Sequence, residues 1–251
     1  MPPPVEDPNK AAFIERVRKA LGRSQPLTAI PDHPSLKTTL PRHTEKIRTI
    51  QAKSAARLPI SLARLVETAT AAAWNVHRAT GHSQAAEMVA EIAATIHAKT
   101  VIRTAEDLFK RVDVDSTLRK RGVPPTILAA NRQRRRDSLK RIAFGADLGV
   151  SAVEYVIAET ASCAVVPHRG VARLATLAPP KLVLVIEESQ VLETLDDFFA
   201  LKRFDFMTQR SRMPNYYNFI SGPSRTADIE QTLTIGVHGP GEVHMVLIAG
   251  A

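Results

Sequence analysis

The densest chemistry in this sequence lies between Ile220 and Gly241, ISGPSRTADIEQTLTIGVHGPG. Gly222-Pro223 forces a turn after an apolar run, and Ser224, Thr226 and Asp228 stand where a helix is expected to begin. A helix start exposes unpaired N–H groups and the positive end of the dipole, which suit a carboxylate or phosphate. The hydroxyls of Ser221, Ser224 and Thr226 add donors there, and Arg225 neutralises charge. Asp228 and Gln231 also resemble a reciprocal cap, which needs no ligand at all. The second bend, Gly236-Val237-His238-Gly239-Pro240-Gly241, lets the backbone approach a ligand closely at Gly236 and Gly239. His238 suits acid/base work or hydrogen bonding, structural or otherwise. No metal is expected, because no second ligand stands at chelating distance along the sequence and His244 falls in a strand. A third candidate is Glu159, in Ala158-Glu159-Thr160-Ala161-Ser162-Cys163, at the end of an expected strand. A carboxylate there can serve as base or nucleophile, and it can equally cap a turn or pair with an arginine. Cys163 runs into CAVVP and reads as a core thiol.

These residues need elements to hold them. Asp7-Pro8 opens a helix carrying Phe13, Ile14, Val17, Ala20 and Leu21, and Gly22 ends it. From Arg23 to Arg57 the chain is polar, with Pro26, Pro31, Pro34 and Pro41, so residues 1–57 are expected to form a helix and a proline-rich arm. Residues 58–251 then alternate between helical and apolar strand patterns. Helices are expected over Leu62–Ala73, from Ser83, around Ala105–Val112, near Arg132–Ile142 and across Val191–Leu201. Strands are expected at Asn75–Thr80, Thr100–Arg103, Thr126–Ala130, Tyr155–Ala158, Lys181–Glu187, Tyr216–Ile220 and Val243–Ala249. Continuous apolar runs such as LVLVI read as buried parallel strands. The expected fold is therefore α/β, a mostly parallel sheet with helices on both faces. In such sheets ligands sit beyond the carboxyl ends of the strands, where the two glycine/proline bends are expected to gather backbone amides into an anion cradle.

Composition excludes several classes. One cysteine in 251 residues forms no internal disulfide and holds no iron–sulfur cluster. The longest stretch free of Asp, Glu, Lys and Arg runs only from Met213 to Ser224, too short for a spanning helix. The start MPPPVEDPNK has no apolar segment of a secretory signal, so a cytoplasmic protein is expected. No G-x-G-x-x-G, P-loop, H-E-x-x-H or G-x-S-x-G pattern occurs. The net charge of +9 is uneven: residues 1–150 hold 26 basic and 14 acidic side chains, and the remainder 8 and 11. The run Arg132, Arg134, Arg135, Arg136, Lys140 and Arg141 is the densest part. Few aromatics accompany it, which argues against nucleic acid and for a solvated helix face.

The segment from Ala158 to Ala249, with AET, LAPPKLVLVIEESQVLETL and the long motif ending HGP, resembles the LUD domain family, of the lactate-utilisation protein C type (LutC/YkgG). AFIERVRKALGR near the start is also similar to that family. The resemblance implies a fold like the NagB/RpiA/CoA-transferase group, and a role in oxidising L-lactate to pyruvate beside two partners that carry the iron–sulfur clusters. No cofactor is expected on this chain itself. Two departures stand out. The family's E-T-G-T turn is Glu159-Thr160-Ala161-Ser162 here, and alanine resists the positive φ that glycine accepts. His168-Arg169-Gly170 replaces a smaller, glycine-richer turn. The implied function is an accessory subunit with an anion pocket at Ser221–Glu230 and Gly236–Pro240, docking acidic partners, its arm able to join copies of the chain. The alternative is a free-standing transferase or isomerase of the CoA-transferase or sugar-phosphate isomerase type, with Glu159 essential, and a scaffold without chemistry is a third reading.

Overall fold

A computed structural model describes residues 8–23, 37–129, 136–167, 173–209, 214, 216–227 and 233–250. The chain divides into two compact units, Met1–Thr39 and Leu40–Ala251. In the first, α1 (Pro8–Ala20) carries Phe13, Ile14 and Val17 as expected, while its expected cap Asp7 lies outside the described residues.

In the second unit, β1 (Asn75–Ala79), β2 (Val101–Arg103), β3 (Thr126–Ile127), β4 (Leu148–Ala152), β7 (Lys181–Glu187) and β12 (Glu242–Ile248) form one sheet in the order β1-β12-β7-β4-β2-β3. Every pairing in it is parallel. The β7 run LVLVI shows why: its alternate side chains enter two different cores. Val183 and Val185 pack with Ala85 and Val89 of α4 (His82–Thr95) and Leu118 of α5 (Val114–Lys120). Leu182, Leu184 and Ile186 pack with Leu62, Leu65 and Ala69 of α3 (Leu58–Ala71) on the other face. Both faces are dry, so polar residues have no place in the strand. Gly149 of β4 is needed where α7 (Leu174–Leu177) presses on the sheet, since a Cβ there would lie 2.1 Å from the Ala175 carbonyl oxygen.

A smaller sheet is built from β5 (Tyr155–Ile157), β6 (Ser162–Val165), β8 (Val191–Leu192) and β9 (Asn218–Ile220), in the order β8-β5-β6-β9. Its Val156 and Cys163 join the α3 core. Its other side meets Phe198 and Leu201 of α8 (Leu195–Gln209). A reciprocal cap starts α8: Asp197 N–H donates to Thr194 Oγ1 at 3.2 Å, and Thr194 N–H to Asp197 Oδ2 at 3.3 Å.

Four expectations are corrected. The second half of the proline-rich stretch is a 17-residue helix, α2 (Leu40–Ala56). Pro41 sits in its first turn, where an amide is not needed. Its sparse buried stripe of His43, Ile47 and Ile50 packs on α8, with His43 Nε2 2.9 Å from the Ala200 carbonyl oxygen. The helix expected at Ala105–Val112 is a 3₁₀ turn, Asp107–Lys110, and α5 follows it, capped by Asp113 accepting from Ser116 N–H. The helix expected from Val191 starts at Leu195, because Val191 and Leu192 pair with Val156 and Ile157. The helix expected to begin at Ser224 is instead a hairpin, β10 (Arg225–Ala227) with β11 (Leu233–Ile235). Thr226 pairs with Thr234 there, and β-branched residues favour that extended backbone. Asp228, Ile229, Glu230 and Gln231 lie outside the described residues, as do Arg132, Arg134, Arg135 and the turn 168–172.

Candidate functional site

The two glycine/proline bends do come together, and Ser224 joins them. Its amide donates to the Pro240 carbonyl at 2.7 Å, and its own carbonyl accepts from Gly236 N–H at 2.9 Å. Its hydroxyl accepts from His238 N–H at 3.2 Å. Gly241 N–H donates to the Pro180 carbonyl at 2.9 Å. Three of the amides expected to cradle an anion, those of Ser224, Gly236 and His238, are thus spent on holding the two bends to each other. The location differs as well. Pro240 and Gly241 lead into β12, and Pro180 leads into β7, so the cluster lies on the amino-terminal rim of the parallel sheet, not the carboxyl-terminal one.

What remains for a ligand is hydroxyl chemistry. Ser162 and Ser221 place their Oγ atoms 2.6 Å apart, and Thr160 Oγ1 donates to Ser162 Oγ at 2.8 Å. This chain of three hydroxyls joins the turn between β5 and β6 to the Gly222 bend. Ser162 is buried, and Thr160 and Ser221 on either side of it are exposed, so the chain reaches the surface at both ends. Arg225, four residues after Ser221, is exposed, and Thr226 is half-buried. Gly222, at φ +135°, is required by packing: a Cβ would lie 2.5 Å from the Ala72 carbonyl oxygen. Gly236, at φ +84°, packs on Gly241, and Gly239 faces the Ser224 side chain.

Glu159 and His238 are not brought into contact among the described residues. Glu159 Oε1 accepts the Leu195 amide at 2.6 Å, capping the first turn of α8 with a charge that suits the helix dipole. The His238 ring is exposed on the loop after β11. The turn that carries Glu159 keeps its tight form despite the loss of glycine: Ala161 adopts φ +49°. Thr68 of α3 fastens that turn, its hydroxyl donating to the Ala158 carbonyl at 2.7 Å. Cys163 is fully buried, and burial pushes its thiol pKa well above the ordinary value.

Sequence reasoning missed a second polar chain on the same rim. Lys181 Nζ lies 3.1 Å from Glu242 Oε2, Glu242 Oε1 lies 2.9 Å from His244 Nε2, and His244 Nδ1 lies 3.1 Å from His77 Nε2. Each histidine sits alone in its own strand, and the pairing of β1 with β12 brings the two together. On the opposite rim, Glu187 accepts from Arg111 at 2.7 Å and meets His82 at 2.9 Å. Burial works to raise the Glu187 pKa, but the Arg111 and His82 hydrogen bonds outweigh it and the net shift is downward. Among the described residues no group of three or more His, Cys, Asp or Glu is arranged to hold a metal. No helix among them is long and apolar enough to cross a membrane.

A model of the LUD domain matches residues 62–248. The chain belongs to the LUD domain family. The match begins inside α3 and ends at the last residue of β12, so it takes in the whole of both sheets and the rim site. This LUD protein is similar to "Lactate utilization protein C" of Shouchella clausii, 32% identical over 143 residues, covering 57% of this chain and 59% of that one. It spans about half the length of several other relatives of that name. The protein of the same name from Bacillus subtilis is 22% identical over 250 residues, covering 96% of each chain. Among solved structures, a DUF162 family protein from Deinococcus radiodurans superposes with a TM-score of 0.52 at 16% identity, over 76% of this chain and 98% of that one. That likeness speaks for the α/β fold alone.

Proposed function

We propose that this LUD protein is an accessory subunit of a system oxidising L-lactate to pyruvate, and that it binds a small anion at the amino-terminal rim. Removing two electrons and two protons from lactate needs an electron acceptor. A chain with one fully buried cysteine leaves cluster chemistry to iron–sulfur proteins beside it. The similarity to proteins named for lactate utilisation, over nearly the whole length in one case, supports the system. The observation that carries the anion site is the Thr160–Ser162–Ser221 hydroxyl chain, which reaches the surface at Ser221, with the exposed Arg225 four residues further along the sequence. A hydroxyl at the end of such a chain turns its hydrogen toward an incoming carboxylate or phosphate, and its neighbour donates to it in turn. Arg225 adds charge at the entrance. The test is calorimetric titration of the full chain with lactate, pyruvate and inorganic phosphate, repeated on Ser221→Ala and Arg225→Ala. Saturable binding by the wild type, weakened in both variants, is expected. No saturable heat with any of the three anions removes the site.

A further inference from the structure

We infer that the outward face of α6 (Arg136–Phe144) is a docking surface for an acidic protein that offers an apolar notch to Phe144. The inference rests on the accessory-subunit reading, because a subunit of that kind works by meeting other proteins. Leu139 and Ala143 bury the inner side of α6 against Ile102, Leu128, Ala146 and Ala175. That settles which side faces outward. On the outer side Lys140, Arg141 and Phe144 are exposed, with Asp137 a turn earlier. Phe144 is 69% exposed, more than any other large apolar residue among those described. Lys140 and Arg141 stand four and three residues before it, the spacing that makes side chains neighbours on a helix. In the sequence the arginines 132, 134, 135 and 136 immediately precede this face.

The chemistry discriminates between occupants. A second copy meeting this face through a two-fold axis would set the same cations against each other, on a chain of net charge +9. Single-stranded nucleic acid needs several stacking rings, and Phe144 is the only aromatic residue between Phe109 and Tyr155. A lipid surface takes a whole apolar helix face, and that of α6 is already buried in its own core. An exposed phenylalanine flanked by Lys140 and Arg141 fits the aromatic- and arginine-enriched surfaces of protein interfaces, and the two cations select an acidic partner.

The test uses the full-length protein in two arms. In the first, iron–sulfur proteins of the lactate-oxidising system proposed above are purified with their clusters and immobilised. Binding of the wild type, Phe144→Ser and the double variant Lys140→Glu/Arg141→Glu is measured at about 50 and about 500 mM NaCl. We expect the wild type to bind, with about tenfold weaker affinity at high salt, and each variant to lose about tenfold at low salt. Variants that bind like the wild type overturn the surface and leave the accessory reading standing. Unchanged thermal unfolding of the variants confirms that the loss is one of contact, because all three side chains lie outside the core. In the second arm, a photoreactive benzoylphenylalanine at position 144 is cross-linked in the native cell and the partner identified by mass spectrometry. An acidic partner without clusters, whose purified form shows the same losses, keeps the surface and overturns the lactate-system reading. No protein cross-link, or preference for a 20-nucleotide DNA or anionic vesicles in place of any protein, overturns the surface.

Discussion

His77 on β1 and His244 on β12 meet nitrogen to nitrogen at 3.1 Å, closing a polar chain that starts at Lys181 and crosses three parallel strands. With Glu242 accepting from His244 Nε2–H, a neutral His244 presents Nδ1 as acceptor, and His77 donates to it. Burial lowers the pKa of both imidazoles. The His244 charge depresses His77 further, and Glu242 only partly offsets the burial of His244.

This pair makes the protein lose stability in mild acid. Unfolded histidine titrates at the ordinary value of 6.5, and both folded values lie below it. As pH falls through 6.5 the unfolded chain takes up protons that the folded chain refuses, so stability declines until the folded values are passed. Thermal midpoints between pH 8 and pH 5 are expected to fall, and His77→Gln should flatten the slope. An unchanged slope in that variant assigns the loss to other groups. Glu242 acts in a different window, because its lowered folded pKa makes it a loss only in stronger acid.

Gly149 tolerates no side chain. The Ala175 carbonyl stands where its Cβ would go, so Gly149→Ala must push α7 off β4. Overpacking of this kind costs about 1–3 kcal/mol, at times more. Denaturant midpoints of the variant should drop accordingly, and a midpoint equal to the wild type's would show that α7 yields freely.

Ala73 ends α3 in a left-handed conformation, at φ +63°, with Trp74 N–H bonded to the Ala69 carbonyl and Ala73 N–H to that of Thr70. This is the helix ending that glycine favours. Ala73 is exposed, so Ala73→Gly is expected to raise stability by about 1 kcal/mol. Ala161, at φ +49°, is fully buried, and its glycine variant gives up about 0.8 kcal/mol of methyl burial in exchange. Chemical denaturation should therefore show a clear gain at position 73 and little change at 161.

Cys163 should resist alkylation in the folded protein. Its sulfur is buried and its pKa raised by that burial, so the thiolate needed for attack is scarce and shielded. Iodoacetamide labelling is expected only after unfolding, and fast native labelling would contradict the packing of β6.

Where the sequence reading succeeded and where it failed follows from what each residue's structure depends on. LVLVI was legible as a buried strand because both faces of β7 are dry, a property written into five consecutive letters. The strand ending in MVLI, β12, is legible for the same reason. The α2 helix is not, because its buried stripe is only His43, Ile47 and Ile50 and its meaning comes from α8, where Ala200 lies 157 residues after His43. Ser224 illustrates the harder case. Its neighbours carry the signature of a helix start, yet the Pro240 carbonyl and the Gly236 amide claim its backbone, and a hairpin results. The glycines and prolines that mark both bends are plain in the sequence, but that Ser224 is the residue that ties one bend to the other is visible only in the fold. The hydroxyl partners Thr160 and Ser162 were hidden, since nothing in the local sequence reveals that β6 lies beside β9.

The last turns of α3 hold both loops of the rim at once, Thr68 gripping the Ala158 carbonyl and the Ala72 carbonyl butting against Gly222. The helix is therefore a common pivot. A substitution that displaces the last turn of α3 disturbs both loops together, since one loses the hydroxyl that holds Ala158 and the other loses the carbonyl that Gly222 packs against.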